Sequence, residues 1–349
     1  MGHAAIDNRT PFAFEALYLV DEQQRPVVVP LVKGSFQIGD DGRCTPADQQ
    51  IAVNPTGECW GTDPRTSSYK YEPEIAFTKP TTDVVLVGHA HAPRGGTTEL
   101  RVGLRVGTGS AAVEKEAIVF GDRRWIRTAG FASPSKPAPF EKVPLTYERA
   151  YGGWDRAHPD PAKHACEPRN PVGVGFRGSG GFEEGLPLPN VEDPRAPIRS
   201  LGDRPPPVGF GFVSPHWAPR AALAGTFDEA WTKSRAPLLP LDFQRRHLNA
   251  ASPGLIAPTY LRGSEPVVAV GVRPEGLLSF TLPGLAPPTA RVLLVDGAEP
   301  QDVTLNLDTV IIEPDERRVI LLWRGHAPIP TGPHDVREIE ILGGARNSA

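Results

Sequence analysis

The chain has 349 residues, more than one hydrophobic core usually supports, so we expect two or three packed units. Its net charge is −4, with 37 basic and 41 acidic residues and no basic block, so nucleic acid is not an expected partner. No run of about 18 apolar residues occurs, so membrane insertion is not expected either.

Proline and glycine predict the general character of the fold. The chain carries 40 prolines and 36 glycines, and proline removes a backbone donor and fixes φ. We therefore expect short strands, many turns and long ordered loops. The three cysteines are widely spaced, and the amino terminus lacks the charged head and apolar run of a signal peptide. Both features favour a cytoplasmic location.

The first part, residues 1–133, has the patterns of an N-terminal β domain. Residues 27–32 are almost continuously apolar, and residues 100–106 alternate apolar and polar side chains as a half-buried strand does. Residues 113–120 and Trp125-Ile126 flank a polar turn, which predicts that these two segments form a hairpin.

The middle, residues 134–258, is rich in proline and glycine but carries too many aromatic residues for free linkers. One helix is predicted at Thr226, because Thr226 and Glu229 have the spacing of a capping box. That helix ends before Pro237. A second short helix is predicted over residues 245–251.

The last part, residues 259–349, returns to strand patterns and predicts a C-terminal β domain. Residues 267–272 and 277–282 form one predicted hairpin, and residues 310–312 and 319–323 form another. The whole chain is therefore predicted to be mainly β, with antiparallel β-sandwich or barrel-like parts. A loop-rich middle, packed on both β parts, carries one or two short helices.

Two groups of histidines raise the question of a metal site. His89 and His91 are two residues apart, so on a strand both imidazoles face the same side and could share a metal. The alternative is that they cap the wet end of a buried strand. His158, His164 and Cys166 form a second group on a proline-rich loop. A metal-dependent hydrolase built on His89 and His91 is the alternative function that these residues suggest.

The segment YERAYGGWD, residues 147–155, could be an active site, a binding surface or scaffolding. On a strand, Glu148 and Arg149 would face opposite sides, and Arg149 would lie between two tyrosine rings. Gly152 and Gly153 would follow in a turn that needs positive φ. This geometry leaves no base with a partner, so scaffolding is the favoured interpretation.

Other catalytic motifs have no support in the sequence. No GxSxG nucleophile elbow and no P-loop occur. Residues 173–178, GVGFRG, have the letters of a dinucleotide-binding motif, but they follow Asn-Pro where that motif needs a strand. We interpret them as a glycine-rich turn.

Five motifs in order carry a resemblance to a known family. They are LTYERAYGGWD, RNPVGVGF, LPLPNVEDP, WAPRAALAGTFDEAWTKSRAPLLPLDF and EPDERRVILLWRG. With them, the chain resembles a bacterial family known as domain of unknown function 2169, from Pro11-Phe12 to about Arg324.

The resemblance implies a non-enzymatic role without a cofactor. Family members look like type VI secretion adaptors or chaperones, which bind a secreted effector toxin in the cytoplasm. They help to load it onto the valine–glycine repeat (VgrG) spike and its PAAR-type cone. Because Trp, Tyr and Arg dominate interface energetics, the expected partner contacts are Arg149, Tyr151, Trp154, Asp155, Trp217, Arg220 and Trp231. Burial of these side chains against the β parts is the alternative, and a carbohydrate-binding β module is a further hypothesis.

Overall fold

A computed structural model of the protein describes residues 4–178 and 181–343, and within them the chain is mainly β. The strands are, in chain order, β1 (Ala5–Asn8), β2 (Ala13–Val20), β3 (Pro26–Ile38), β4 (Cys44–Pro46), β5 (Glu58–Cys59), β6 (Tyr69–Tyr71), β7 (Asp83–Leu86), β8 (His89–His91), β9 (Glu99–Val106), β10 (Val113–Phe120), β11 (Trp125–Thr128), β12 (Phe131–Pro134), β13 (Lys142–Pro144), β14 (Tyr151–Gly152), β15 (Trp154–Asp155), β16 (Ala165–Cys166), β17 (Val174–Gly175), β18 (Val191–Glu192), β19 (Pro266–Val270), β20 (Leu277–Thr281), β21 (Thr289–Leu294), β22 (Gln301–Thr304), β23 (Asn306–Glu313), β24 (Arg318–Arg324), β25 (Ala327–Pro328) and β26 (Val336–Leu342).

Helices are few and short in the described parts of the chain. The α-helix is α1 (Glu229–Ser234). The 3₁₀ helices are Gly109–Ala111, Tyr147–Arg149, Pro161–Lys163, Arg220–Leu223, Arg245–Leu248 and Pro333–Asp335. None of these helices has the length and apolar character needed to cross a membrane.

A seven-stranded sheet forms the centre of the fold, in the order β2-β3-β24-β23-β7, with β4 and β25 added to β3. Strands β3, β7, β23 and β24 are buried along nearly their whole length, in agreement with the apolar runs at residues 27–32, 84–86, 310–312 and 319–323. This sheet combines strands from the first and last parts of the chain. The division of the chain into three parts, at residues 133/134 and 258/259, stays a prediction.

Two further sheets pack their apolar faces into the same core. The five-stranded sheet has the order β18-β10-β9-β19-β20, and the four-stranded sheet has the order β1-β26-β21-β22. Strands β19 and β20 alternate strictly between buried and exposed residues, as expected when one face of a sheet meets solvent. No sheet of residues 4–178 and 181–343 closes into a barrel, so the barrel-like alternative is wrong.

The hairpins predicted in the last part are confirmed, but the one predicted in the first part is wrong. Strands β19 and β20 pair antiparallel, and so do β23 and β24. Strand β10 does not pair with β11: it lies between β9 and β18, and β11 pairs with β12. Both edges of β10 near Phe120 are therefore occupied, and Trp125 finds its partners in the next strand.

The predicted helix of the middle exists, but its first turn was placed wrongly. Asp228 is the N-cap, and its carboxylate accepts the backbone N–H of Trp231 at 2.7 Å. The Thr226 hydroxyl instead donates to Asp242 at 2.8 Å. Asp is as good an N-cap as Thr, so the capping pattern alone could not choose between the two. The second predicted helix is the 3₁₀ turn Arg245–Leu248.

Candidate functional site

The segment 147–155 is not the continuous strand that its sequence predicted. Tyr147–Arg149 is a 3₁₀ turn, and the short strands β14 and β15 follow it. Strand alternation therefore does not separate Glu148 from Arg149. The positive φ predicted for the two glycines is confirmed, because Gly152 and Gly153 have φ of +152° and +97°.

Glu148 anchors a distant loop. Its carboxylate accepts hydrogen bonds from the backbone N–H of Ser68 at 2.6 Å, the Ser68 hydroxyl at 2.8 Å and the Ser67 hydroxyl at 3.1 Å. Because three donors surround it, this carboxylate has little capacity left to act as a base. Glu148 holds the loop that precedes β6 against the start of the middle region.

The buried side chain of Asn170 connects two residues of the same segment. Its amide donates to the carbonyls of Tyr147 at 2.8 Å and Tyr151 at 3.0 Å, and its side chain is fully buried. A Cβ on Gly152 would lie 2.2 Å from the Asn170 carbonyl oxygen. Glycine is therefore required here for close backbone approach as well as for φ. This contact links the motifs YERAYGGWD and RNPVGVGF.

The expected partner residues within the segment divide into exposed and buried groups. Arg149 is exposed and donates to Asn190 at 3.3 Å, so its predicted position between two tyrosine rings is wrong. Tyr151 is buried in a small apolar cluster. Asp155 is buried, and it accepts the backbone N–H groups of Ala157 at 3.0 Å and Gly178 at 2.9 Å.

Trp154 is the exposed aromatic side chain of this segment. Its side chain is 48% exposed, although its neighbours Gly153 and Asp155 are buried. The Arg156 guanidinium lies 5.2 Å from the centre of the Trp154 ring, within cation–π range. Strand β15 pairs Trp154 with Cys166, which fixes the backbone from which the indole projects.

Trp217 and Arg220 are buried instead of presented to solvent. The Trp217 ring packs edge-on against Tyr147, with ring centres 5.4 Å apart. Arg220 forms an ion pair with Glu72 and donates to the carbonyls of Val213 at 2.6 Å and His247 at 2.7 Å. These contacts connect the middle region to the loop before β7.

Trp231 belongs to a second surface with exposed apolar groups. Its indole N–H donates to the Leu238 carbonyl at 2.8 Å, and its ring lies 4.8 Å from that of Phe227. Phe227 and Leu241 are exposed, and Trp231 is half-buried. Phe227 precedes helix α1, and Trp231 lies in the first turn of that helix.

His89 and His91 lie on one face of β8, as predicted, but both contact a carboxylate. Nδ1 of His89 is 2.7 Å from Oδ2 of Asp315, and Nε2 of His91 is 2.6 Å from Oδ1. Burial alone would raise the pKa of Asp315, but hydrogen bonds from both imidazoles and the charge of Lys142 lower it. The described residues contain no group of three or more His, Cys, Asp or Glu arranged to hold a metal ion. The two histidines attach β8 to the turn between β23 and β24.

The histidines of the 158–166 loop make local contacts. Nδ1 of His158 accepts the backbone N–H of Asp160 at 2.9 Å, and Nε2 of His164 is 3.0 Å from the His158 carbonyl. The three cysteines form no disulfides. Burial is the main cause that raises the pKa of the Cys166 thiol, which disfavours the reactive thiolate.

Buried charges form a network that the sequence analysis missed. Lys79 donates to Asp83 at 2.8 Å and to Thr309 at 3.2 Å, and it lies 3.9 Å from Glu72. Burial by itself would lower the pKa of Lys79, but the surrounding carboxylates raise it. Asp83 also accepts the backbone N–H of Ala250 at 2.8 Å. Asp83 is the first residue of a strand that is otherwise apolar. A charged residue next to such a buried strand was the sequence feature from which the burial of Asp83 could have been predicted.

A cavity of about 640 Å³ opens beside β10. Its lining includes residues 114–116 of β10, residues 193–195, residues 253–254, Tyr147 and Pro207. We call it the β10 cleft. The Lys115 ammonium lies in it and donates to Pro253 at 2.8 Å and to the Ser252 hydroxyl. Ser252 is fully buried, so its hydroxyl is a hydrogen-bonding bridge to Tyr147 and is not placed for nucleophilic attack.

These features define a mainly β protein whose several sheets are joined by loops held through buried polar side chains. The family described as uncharacterized protein conserved in bacteria, DUF2169, matches residues 23–324, which is most of the chain. The chain therefore belongs to this family. No curated protein and no solved structure matches it in comparisons of sequence and structure.

Proposed function

We propose that the protein is an adaptor that binds a type VI secretion effector in the cytoplasm. It would help to load that effector onto the VgrG spike and its PAAR-type cone. The proposal rests on the resemblance of the five motifs to members of the family with such a role. Fold class alone does not specify function, so the argument depends on what the surface presents.

The observation that carries this proposal is that the Trp154 side chain is exposed on a backbone that is already ordered. A large aromatic side chain that is half exposed loses the benefit of burial unless a partner covers it. Hydrogen bonds around Gly153 and Asp155 already order its backbone, so less entropy would be lost on binding. Such aromatic anchors often dominate the binding energy of protein interfaces.

Co-purification tests the adaptor role directly. The tagged protein is expressed with the effector encoded beside it, and the complex is isolated in mild salt. Secretion of the effector is then compared between cells with and without the protein. We expect stable co-purification and a loss of secretion without it. Failure to recover the effector, together with unchanged secretion, would overturn the proposal.

The contact surface is tested with Trp154→Ala and a matched control. Phe131→Ala removes an aromatic ring that is 77% exposed at the tip of the β11–β12 hairpin. We expect Trp154→Ala to weaken effector binding at least tenfold, and Phe131→Ala to leave it unchanged. Equal effector affinity of both variants and the wild type would remove Trp154 from the interface.

A further inference from the structure

Within residues 4–178 and 181–343, part of the β10 edge in the β10 cleft has no neighbouring strand. Strand β18 pairs with β10 only at Ile118 and Val119. The N–H of Phe120 points to the β18 side, where it donates to Asn190 at 2.7 Å. Because a strand alternates, the backbone groups of Ile118, Glu116 and Glu114 point to that side as well.

The pairing of β9 confirms this alternation independently. Gly107 donates to Pro266 at 2.9 Å on the far side of β9, so Val106, Leu104 and Val102 face β10. Their partners on β10 are Val113, Lys115 and Ala117. Glu114 and Glu116 therefore direct their N–H and C=O groups into the cleft, beyond the end of β18. Unpaired backbone groups on a strand edge are a template for another strand.

Lys115 places a positive charge in the cleft that is not engaged in an ion pair with any described residue. Arg105, Arg169 and Arg195 also line it, and each has a carboxylate partner within 4 Å. Among the described residues, no carboxylate lies within that distance of the Lys115 ammonium. Its two hydrogen bonds go to neutral oxygens, which leaves one of three N–H donors for a ligand.

The walls beside the open edge limit what the protein itself can pair with it. Pro253 and Gly254 lie at the Glu114 end, where a Cβ on Gly254 would be 3.6 Å from the Glu114 carbonyl. Pro194, which follows β18 in the chain, also lines the cleft, and neither proline has an N–H to donate. The volume of about 640 Å³ lies within the range of sites that enclose a ligand.

We propose that the β10 cleft binds a short, extended, acidic peptide segment of a protein partner. The segment would add to the open edge of β10 as a strand, with backbone hydrogen bonds to Glu114 and Glu116. An Asp or Glu carboxylate of the segment would pair with the Lys115 ammonium. Strand addition of this kind derives affinity from main-chain bonds and specificity from side-chain contacts. That the peptide belongs to an effector rests on the proposed function.

A phage-displayed dodecapeptide library, panned on the immobilised full-length protein, supplies the probe. The enriched peptide is synthesised with fluorescein, and its affinity is measured by anisotropy. A second version carries Asn or Gln in place of its acidic residue. We expect enriched peptides to contain an acidic residue among β-branched residues. We expect the neutral version to bind at least tenfold more weakly.

Two matched pairs of variants locate the binding site. Lys115→Met keeps the aliphatic stem and removes the charge, and Lys142→Met is its control at a distant exposed lysine. Glu116→Pro removes the outward N–H at an edge where proline is tolerated, and Glu116→Ala is its control. Both test variants should lose at least tenfold in peptide affinity, and both controls should bind as the wild type does. Thermal unfolding of all four variants verifies that they fold.

The outcomes separate this proposal from the adaptor role. Absence of any enriched peptide, or equal affinity of the acidic and neutral peptides, overturns the cleft proposal. Enriched peptides that bind Glu116→Pro and Lys115→Met normally overturn it too, because they bind elsewhere. If the effector still co-purifies with both variants, the adaptor role stands without the cleft. If peptides bind the cleft but no effector is recovered, the cleft proposal stands and the adaptor role fails.

Discussion

The central sheet and the loop-rich middle are held in place by different interactions. In the sheet, β3, β23 and β24 pair backbone to backbone, and their side chains, Phe36 and Trp323 among them, are almost fully buried. In the middle, backbone groups pair in short turns and loop contacts, and buried side chains such as Glu148 and Asn170 add hydrogen bonds between segments that are distant in sequence. The contrast indicates that buried polar side chains contribute more to order in the irregular middle than in the sheet. Four predictions test how strict this difference is.

The largest effect is expected at the ion pair that joins the two regions. Arg220→Met leaves Glu72 buried without its nearest cation, and breaking a buried pair this way costs about 3–5 kcal/mol. Burial raises the pKa of Glu72, and Lys79 and Arg220 oppose that rise. Urea unfolding measures the loss. The double variant Glu72→Gln, Arg220→Met should recover part of it.

Arg291→Met is the control for that experiment. Arg291 pairs with Asp302 at 2.9 Å, but both side chains are exposed, by 46% and 75%, so water replaces the lost contact. We expect no measurable change in the unfolding midpoint. If Arg220→Met were equally harmless, the middle would not depend on its buried charges, and the proposed difference between the central sheet and the middle would not hold.

Asn170→Ala should loosen the middle while the central sheet stays intact. The change removes the amide that donates to the Tyr147 and Tyr151 carbonyls, and it leaves the Tyr147 carbonyl with the backbone N–H of Ala150 alone, at a cost of about 1–3 kcal/mol. Hydrogen exchange is the suitable measurement, because it resolves local opening. We expect faster exchange over residues 147–175 and unchanged exchange in β3 and β24. Uniformly faster exchange would instead show that both regions unfold as one unit.

Lys115 links the two regions, because its side chain extends from β10 to the 252–253 loop. Its contribution to the free energy of unfolding depends on pH. Burial lowers the pKa of Lys115 to about 8, and Asp193 opposes this shift. Because this lysine has a pKa of 10.5 in the unfolded chain, the unfolded chain binds more protons than the folded chain between pH 8 and 10.5. Relative to Lys115→Met, the wild type should gain on the order of 2 kcal/mol over that range. Urea unfolding at pH 7, 8, 9 and 10 measures the gain. A constant difference would contradict it.

The smallest effect is expected for Asp315→Asn, at the turn that β8 holds. Because the pKa of Asp315 is lowered in the folded protein, its carboxylate stabilises the fold above the unfolded value of 3.8. That contribution is lost as the pH falls through the lower folded pKa. The site is partly exposed and screened, so we expect at most about 1 kcal/mol at pH 7. The wild type and the variant should become equally stable near pH 2, and a difference that persists there would exclude this explanation.

Local patterns predicted the strands better than their partners. Alternation identified residues 100–106, and the turns at 273–276 and 314–317 identified two hairpins, because neighbouring residues determine both features. The partner of β10 could not be predicted in the same way. Strand β9 directly precedes β10 in the chain, but β18 comes from the middle region, and the sequence around β10 carries no signal for such a distant partner.

The candidate site was predicted in part. The two glycines of YERAYGGWD predicted positive φ, and Gly152 and Gly153 both have positive φ in the structure. Whether Trp154 or Trp217 reached solvent could not be read from the sequence, because both lie in loops of similar composition. The Tyr147 ring covers Trp217, whereas Trp154 stays 48% exposed with the Arg156 guanidinium beside its ring.

By itself, the sequence determined that the chain is mainly β, where several of its longer strands lie, and to which family the chain belongs. Those properties follow from residue order over short distances. Only the tertiary structure decided that Lys79, Asp83 and Arg220 are buried, and that β10 keeps an open edge beside Lys115. Burial of a charge depends on partners that fold in from elsewhere in the chain, such as Glu72 against Arg220, and local patterns carry no information about such pairs.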